Sequence, residues 1–314
     1  MICSVIIPTI GRNTLEKAVA SVLDQDFPPG EVEIIIVNDS GQPLPEEPWQ
    51  QSGQVTLLTT NRRERCFARN TGAAVAQGTY LIFLDDDDWL LPDALGHLSA
   101  LAQQSPDAVW LYGGIQVVDE TGRCLAELNS GLSGNSFGPI MGGAWAPIQS
   151  SMIKADAFFA VGGYNPAIIV TEDLDLCRRL ALVGDFANTE FAIGCLLRGN
   201  TWDTSTNYLK APEDTLRSRE AVLKQPGAFK RLASSTQEGY WFGRNLRVYL
   251  SLVRFHLRQK RYFPALSRGL ACLGCCLIAG HRMLTSSFWD GVKADHPPDT
   301  LHFIMMDLER QASS

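Results

Sequence analysis

The sequence lacks the features that mark disordered, secreted or membrane-spanning proteins. Charged residues make up only 19% of the 314 residues against 45% hydrophobic ones, a balance that excludes a disordered or fibrous chain. The longest apolar run, around residues 270–279, is shorter than a bilayer span, and no basic flank precedes the apolar N-terminus as in a signal peptide. The eight cysteines show no paired spacing. These absences predict a cytoplasmic globular protein with reduced thiols.

Positive charge is scarce in most of the chain and concentrated in one part of it. Residues 1–216 contain 12 Lys and Arg against 27 Asp and Glu, whereas residues 217–282 contain 13 against 2. Residues 283–314 are again acidic, with 2 against 5. The acidic body argues against nucleic acid as a partner and is compatible with a divalent metal site.

Buried strands alternate with helical patterns over the first 200 residues. Strands are predicted at residues 3–8, 33–38, 55–59, 80–84, 108–118 and 150–153, and one or two more over residues 186–197. Helices are predicted at 13–25 with Asn13 as the N-cap, 66–77 ended by Gly78, 92–104, 155–161 and 171–182 with Thr171 as the N-cap. Such alternation predicts an α/β fold with a mainly parallel sheet and helices on both faces.

The pattern changes after about residue 212. Residues 131–147 are predicted to form a long loop, and the C-terminal part to consist of helices at 213–224, 237–259 and 262–284. We therefore predict two domains, a sheet-containing domain over residues 1–212 and a helical region over 213–314.

Acidic and hydroxyl side chains follow three of the predicted strands. Thr9 ends the first strand, Asp39 follows the second, and the aspartates of residues 85–88 follow the fourth. Ligands of parallel sheets bind at the carboxyl ends of the strands, so these side chains are expected to share one cleft.

Each acidic group has a structural alternative. Adjacent carboxylates repel one another unless a cation neutralises them, and their hard oxygens suit Mg²⁺ or Mn²⁺, although a solvated acidic turn would look similar. Asp39 could accept hydrogen bonds from a nucleotide base or ribose, or form an Asx-turn. Glu172 and Asp173 begin a predicted helix, where they could present a general base or merely cap the helix.

Six motifs in this order resemble the family 2 glycosyltransferases of the GT-A fold over about residues 1–200. They are Ser4–Thr9 (SVIIPT), Val37–Ser40 (VNDS), Ala68–Gly72 (ARNTG), Phe83–Asp93 (FLDDDDWLLPD), Val161–Tyr164 (VGGY) and Glu172–Leu176 (EDLDL). The resemblance implies an inverting, metal-dependent transfer of a sugar from a nucleotide-sugar donor to a hydroxyl acceptor, in bacterial surface polysaccharide or glycoconjugate synthesis. A UDP-sugar is the default donor for this family.

The resemblance also implies roles for individual residues. Thr9, Asp39, Asn61 and Arg69 would line the nucleotide pocket. Asp85 and Asp86 would face the ribose and the sugar, Asp87 would bind Mn²⁺ or Mg²⁺, and Asp173 would deprotonate the acceptor. The metal-binding pair can be aligned either as Asp85-x-Asp87 or as Asp86-x-Asp88, so the alignment leaves the ligand open.

The chain departs from the processive members of the family. It lacks their Gln-x-x-Arg-Trp motif and their membrane helices, which favours a single sugar addition. Arg198 stands roughly in that region and could contact the diphosphate.

Two other functions were weighed against the transferase. A nucleotidyltransferase should carry a Gly-rich loop after the first strand, where this chain has only Gly11. A non-catalytic module would be a phospho-receiver, which needs an acidic pair after the first strand, or a degenerate transferase, which should have lost Asp87 or Asp173. The chain has no such pair there, and both aspartates are present.

Basic and apolar residues alternate through the helices at 237–282. Such a segment could lie on anionic lipid at the inner face of the membrane, which would suit a lipid-linked acceptor. Alternatively, it could pack against the acidic body or a second subunit of a homodimer.

Overall fold

The computed structural model describes residues 3–28, 30–61, 63–197, 211–235 and 238–294. Two compact units are present, each built from three segments. The first contains residues 1–133, 146–167 and 183–205, and the second contains 134–145, 168–182 and 206–314. The domain boundary near residue 212 stays a prediction.

All strands among the residues that the structure describes belong to the first unit. They are β1 Cys3–Thr9, β2 Val32–Asn38, β3 Val55–Thr59, β4 Tyr80–Phe83, β5 Trp89–Leu90, β6 Trp110–Val118, β7 Cys124–Leu128, β8 Ser151–Lys154 and β9 Phe186–Leu197. Seven of them were predicted to within about two residues at each end. The short β5 and the exposed β7 were not predicted, because neither has a continuous apolar run.

The α-helices are divided between the two units. They are α1 Leu15–Leu23, α2 Arg65–Val75, α3 Ala94–Gln104, α4 Phe137–Gly142, α5 Ala155–Ala160, α6 Glu172–Val183, α7 Ala211–Leu223, α8 Ala228–Ala233, α9 Gly239–Arg258, α10 Tyr262–Ala279 and α11 Ser286–Lys293. Helices α1, α2, α3 and α5 lie in the first unit, and the rest lie in the second apart from the last residue of α6.

The sheet of the first unit has the order β3-β2-β1-β4-β8-β6-β9-β5, with β7 paired to β6. The β3-β2-β1-β4 half is parallel throughout, as is the β6–β9 pair. Strand β8 runs antiparallel to both β4 and β6, so β6 and β9 run in the same direction as the parallel half. The predicted α/β fold class is confirmed.

Helix α1 shows why the parallel half is buried. Its apolar residues recur at helical spacing and enter one core cluster with side chains of β1 and β2, among them Val19, Val22, Val5 and Ile34. The prediction that Asn13 caps this helix was wrong. Thr14 occupies the N-cap position, and its hydroxyl makes no capping hydrogen bond.

Gly78 has a different role from the predicted one. Helix α2 ends at Val75, with Ala76 as its C-cap, so Gly78 does not end the helix. Instead its backbone approaches β1, where its N–H donates to Ser4 Oγ at 2.9 Å. A β-carbon at this position would lie 2.6 Å from the backbone nitrogen of Ser4, closer than atoms can pack.

Replacing Gly78 by alanine is therefore expected to lower the free energy of unfolding by about 1–3 kcal/mol, the usual cost of overpacking. Urea unfolding measures the effect. Gly96→Ala in α3 is the matched control, since nothing lies within 4 Å of its added β-carbon. It should raise stability by about 0.5–1 kcal/mol. Equal stability of Gly78→Ala and the wild type would contradict this account.

The second unit contains a helix that was predicted as loop. Helix α4 lies within the Gly-rich residues 131–147, and its residues are buried. Two side chains of α9 hold it: Arg244 Nε donates to the Gly142 carbonyl and Asn245 Nδ2 to the Gly138 carbonyl, each at 2.9 Å. Tertiary hydrogen bonds thus stabilise a helix that its glycine and proline content disfavours.

Helix α6 begins one residue after Thr171, as predicted, but Thr171 does not cap it through its side chain. The Thr171 hydroxyl oxygen is buried and makes no hydrogen bond to any part of the chain that the structure describes. Only the Thr171 carbonyl joins the helix, accepting from the Asp175 N–H at 2.9 Å.

Helix α10 and the 3₁₀ turn after it, Tyr262–Leu284, form the one segment among the described residues that is long and apolar enough to span a bilayer. The sequence-based expectation, made from residues 270–279 alone, missed this segment. The residues on either side of that run extend the helix without adding acidic groups.

Glu220 links three helices of the second unit. Its carboxylate, 8% exposed, accepts two hydrogen bonds from Arg268 of α10, at 2.8 and 2.9 Å. Lys224 Nζ lies 3.2 Å away, and His256 Nε2 of α9 lies 3.5 Å away. Burial would raise the Glu220 pKa, but the hydrogen bonds and charge of Arg268 outweigh it, so the pKa is lowered.

Glu220→Gln is expected to lower the free energy of unfolding by about 3 kcal/mol at neutral pH, because it leaves Arg268, whose side chain is only 12% exposed, without its countercharge. A lowered folded pKa gives stability that is present above the unfolded pKa and lost as the pH falls through the folded pKa. The difference from wild type should therefore shrink in acid, below about pH 4. Urea unfolding from pH 7 to pH 3 measures it.

Glu213→Gln is the control for this change. Glu213 pairs with Arg217 in the same helix at 2.6 Å, but both side chains are more than half exposed. Its loss should cost less than about 1 kcal/mol. If the two substitutions lowered the free energy of unfolding equally, the burial of Glu220 would not contribute to stability.

Candidate active site

The carboxyl ends of β1, β2 and β4 meet at one edge of the first unit's sheet. Thr9 pairs with Asn38 in the parallel register of β1 and β2, and the Asp39 N–H donates to the Thr9 carbonyl at 2.9 Å. On the other side of β1, Leu84 continues β4 and donates to the Ile6 carbonyl at 3.0 Å. The predicted meeting of Thr9, Asp39 and the aspartates at the strand ends is therefore observed.

Asp86 points back toward the end of β1. Its Oδ2 accepts a hydrogen bond of 2.5 Å from the Thr9 hydroxyl, and its Oδ1 pairs with Arg12 Nη1. Arg12 Nη1 also lies 3.4 Å from Asp87 Oδ2. Because the Asp86 side chain is only 2% exposed, these two partners supply its hydrogen bonds and countercharge.

Asp85 is held by the buried Arg69 of α2. Arg69 Nη2 lies 2.6 Å from Asp85 Oδ1, and its guanidinium lies 5.0 Å from the centre of the Tyr164 ring. Burial would raise the pKa of Asp85, but the charge and hydrogen bond of Arg69 outweigh it and the pKa is lowered. Asp85 thus stays ionised at neutral pH.

Asn70 fixes the loop that carries Tyr164. Its Nδ2 donates to the Tyr164 carbonyl and its Oδ1 accepts from the Tyr164 N–H, both at 2.9 Å. Gly163 precedes this contact at φ +65°, a conformation that other residues rarely adopt. The ARNTG and VGGY motifs, which contain these residues, are therefore hydrogen-bonded to each other beside Arg69.

Asp85, Asp87 and Asp88 form a carboxylate cluster. One oxygen of each lies within 4.8 Å of an oxygen of the other two. Burial, followed by the charge of Asp85, raises the pKa of Asp87 to about 6. The same causes raise the pKa of Asp88 well above its usual value, although the Leu197 N–H donates to Asp88 at 3.1 Å.

This cluster fits a divalent cation. It offers three hard oxygen donors within the span of one coordination sphere, where burial, and after it repulsion from the neighbouring carboxylates, raises the pKa of Asp87 and Asp88. A bound cation would remove that repulsion. The grouping favours the Asp85-x-Asp87 alignment, because Asp86 faces Thr9 and Arg12 instead.

Asp39 and Asn61 flank the same edge of the sheet. Asp39 is 5% exposed, and its burial raises its pKa. A hydrogen bond with the Glu64 backbone lowers the pKa but does not outweigh burial. Asn61 is exposed in the loop after β3. Both lie in the first unit with Thr9 and Arg69, and their contacts with a nucleotide stay a prediction.

The predicted base, Asp173, lies in the second unit. It is half-buried in the first turn of α6, between the buried Glu172 and the buried Asp175. Asp175 Oδ2 accepts a 2.8 Å hydrogen bond from Arg179 Nε, so that carboxylate is neutralised within its own helix. The role of Asp173 stays a prediction, and Arg198 lies outside the described residues.

Two residues of the first unit's site were not predicted from the sequence. Arg12, the counterion of Asp86 and Asp87, lies in a loop after β1, where only its neighbour Gly11 was considered. Asp88 was named only in the alternative alignment, yet it belongs to the carboxylate cluster. The position of Arg12 after the carboxyl end of a parallel strand was the signal that could have identified it.

Comparison with known proteins agrees with this geometry. The family model described as glycosyl transferase family 2 matches residues 4–142, which include β1 to β4 and every aspartate of the cluster. Over these residues the chain is similar to the family 2 glycosyltransferases. The predicted resemblance is thereby confirmed for the four motifs that lie inside the matched residues, whereas the VGGY and EDLDL motifs lie outside them.

Curated relatives are glycosyltransferases of bacteria. An uncharacterised glycosyltransferase of Haemophilus influenzae is 23% identical over 70% of this chain and 74% of its own length. A Campylobacter jejuni relative, named GalNAc(5)-diNAcBac-PP-undecaprenol beta-1,3-glucosyltransferase, is 31% identical over 41% of this chain and 40% of its own length. These relatives support a glycosyltransferase function in bacterial glycan synthesis.

Solved structures show the same fold. A fragment of Staphylococcus aureus TarS in complex with UDP-GlcNAc matches with a TM-score of 0.62 and 15% identity, covering 85% of this chain and 90% of that one. At this identity the match establishes the GT-A fold alone.

Proposed function

We propose that the protein transfers a single sugar from a UDP-sugar to a hydroxyl acceptor, with inversion at the anomeric carbon. The observation that carries the proposal is the carboxylate cluster of Asp85, Asp87 and Asp88 at the end of β4, beside the buried Thr9 and Asp39. This is the edge at which parallel sheets bind nucleotides.

The cluster would hold the cation that such a donor needs. Asp87, with Asp85 and Asp88, would bind Mn²⁺ or Mg²⁺, which would neutralise charge on the leaving diphosphate. Asp85 and Asp86 would face the ribose and the sugar. Asp85, which is partly exposed and held by Arg69, would meet the donor with little rearrangement, whereas the buried Asp86 would have to exchange its hydrogen bond from Thr9 for one from the donor.

The nucleotide would bind on the β1–β2 side of the cluster. Asp39 can accept hydrogen bonds from a base imide or a ribose hydroxyl, and the exposed Asn61 can donate to the base. Arg69 is buried beneath Asp85 and acts by holding it. The UDP-GlcNAc named for the TarS complex supports a uridine nucleotide as the donor.

Inversion requires a base on the face of the sugar opposite the diphosphate. Asp173 would remove the proton from the acceptor hydroxyl. At the same time the acceptor oxygen would form the new bond to the anomeric carbon, and the bond between that carbon and the diphosphate oxygen would break. The electron pair of the broken bond leaves with the diphosphate. The carboxylates of the cluster would not serve as this base, because they would face the leaving group.

The acceptor is proposed to be a lipid-linked glycan on the cytoplasmic side of the membrane. The undecaprenol-diphosphate glycan in the name of the C. jejuni relative supports this acceptor class. Because the chain matches only 40% of that relative, neither the glucose nor the β-1,3 linkage is carried over.

The proposal is tested by incubating the protein and Mn²⁺ with a panel of UDP-, dTDP- and GDP-sugars and measuring released nucleotide. Slow hydrolysis of one UDP-sugar, with a thermal shift from the same nucleotide, is the expected result. Hydrolysis of a dTDP- or GDP-sugar instead would refute the uridine assignment. Absence of any shift with all three nucleotides would refute the site.

A further inference from the structure

Helix α10 buries its small residues and exposes its large apolar residues, whereas most amphipathic helices bury the large apolar ones. Its buried face consists of small residues, namely Ala265, Cys272, Cys275 and Ala279. Its large apolar side chains are exposed, at 61–82%: Tyr262, Phe263, Leu266, Leu270, Leu273 and Leu277. We call these six residues the apolar face of α10. Only 22% of the apolar segment that contains them is buried.

A contiguous apolar face of this size is rare on a protein surface that meets only water. Single exposed leucines need no explanation, but these residues recur at three- and four-residue intervals along one side of the helix. Something other than water is therefore expected to cover them.

The charges around the apolar face indicate what covers it. Four cations at the end of α9 and in the turn before α10 are exposed: Arg254, Arg258, Lys260 and Arg261. The sequence has no Asp or Glu between Glu238 and Asp290. A second copy of the chain that presented the same face would bring like charges together, whereas an anionic lipid surface would neutralise them.

We propose that the apolar face of α10 binds the surface of an anionic bilayer, with these four cations contacting lipid phosphates. The apolar side chains would enter the acyl boundary, as in other interfacial helices. The inference stands on the second unit alone and does not depend on the proposed transferase reaction.

The contacts of Arg268 favour a helix that lies on the bilayer over one that crosses it. Arg268 is in the middle of α10, and its guanidinium donates twice to the buried Glu220 of α7. A spanning α10 would carry Arg268 into hydrocarbon and separate it from its partner, which is costly for both charges. With α10 lying flat, this pair stays inside the protein.

Vesicle co-sedimentation of the full chain, without sugar donor, tests the proposal. The protein should sediment with vesicles of phosphatidylcholine mixed with phosphatidylglycerol, and much less with pure phosphatidylcholine. The double variant Leu270→Glu, Leu277→Glu should bind at least about tenfold more weakly, since it removes apolar contact and adds charges that the lipid repels. Raising the salt concentration should also weaken binding by the wild type.

Leu57→Glu is the matched control, because Leu57 is also an exposed leucine, at 42%, but lies on β3 of the first unit. It should bind vesicles like the wild type. All substituted side chains are exposed, so circular dichroism and thermal unfolding should stay unchanged and a folding defect would be visible.

Three results would overturn the proposal. One is a wild-type protein that stays in the supernatant with anionic vesicles. Another is an equal loss of binding in Leu57→Glu and the double variant. The third is a dimer in light scattering that the double substitution dissociates without any effect on vesicle binding, which would assign the apolar face to a second copy.

Discussion

Asp173→Asn is expected to lower the rate of sugar transfer by about 100- to 10,000-fold, the usual contribution of a general base. Donor affinity should stay within about twofold of wild type, because the proposed nucleotide and metal ligands belong to the first unit. Single-turnover transfer and nucleotide titration measure the two quantities separately. An amide has nearly the same shape as a carboxylate, so the change removes proton acceptance with little change in packing.

Asp156→Asn is the control for helix capping. Asp156 is an exposed acidic residue in the first turn of α5, where it accepts a hydrogen bond from the Ala157 N–H. If Asp173 only caps α6, the two substitutions should both lower thermal stability slightly and leave transfer unchanged. Near-wild-type transfer by Asp173→Asn with intact donor binding would remove the base assignment.

Asp87→Asn should abolish metal-supported transfer, with a loss of about 100-fold or more, since a bound cation supplies several kcal/mol of transition-state stabilisation. Chelation of the wild type should have the same effect. Asp107→Asn, at an exposed aspartate before β6, should retain full activity. Full transfer by the chelated wild-type enzyme would refute the metal role.

The same substitution should stabilise the metal-free protein. The Asp87 pKa is raised to about 6 in the folded state, so ionisation at neutral pH works against folding. The amide side chain of the variant carries no such charge, and the melting temperature of the metal-free variant should exceed that of wild type at pH 7. The gain should vanish below about pH 4, where Asp87 is protonated in both states. A lower melting temperature at pH 7 would indicate damage to the fold instead.

The parallel half of the sheet and the strand-end residues could be predicted because their sequence pattern is local. Continuous apolar runs identified β1, β2 and β4, and topology alone then placed Thr9, Asp39 and the aspartates at one edge. The carboxyl ends of parallel strands always lie at the same end of a sheet, so residues that follow such strands lie near one another.

The orientation of individual side chains could not be predicted. Which of the four aspartates faces Thr9 and which joins the cluster depends on the turn after β4 and on Arg12, whose loop has no periodicity. Helix α4 was missed because its stability comes from Arg244 and Asn245, about a hundred residues later in the chain. The apolar face of α10 was missed because periodicity identifies an apolar helix but not which of its sides is buried.

The most direct test of the account is an electron paramagnetic resonance titration of the full chain with Mn²⁺, with and without UDP. The wild type is predicted to bind one Mn²⁺ at the carboxylate cluster, and to bind it more tightly when UDP is present. The Asp87→Asn variant is predicted to bind Mn²⁺ much more weakly than the wild type. If UDP binds equally well in EDTA, and Mn²⁺ stays free in solution beside the wild-type protein, the aspartates after β4 do not hold a metal for the donor.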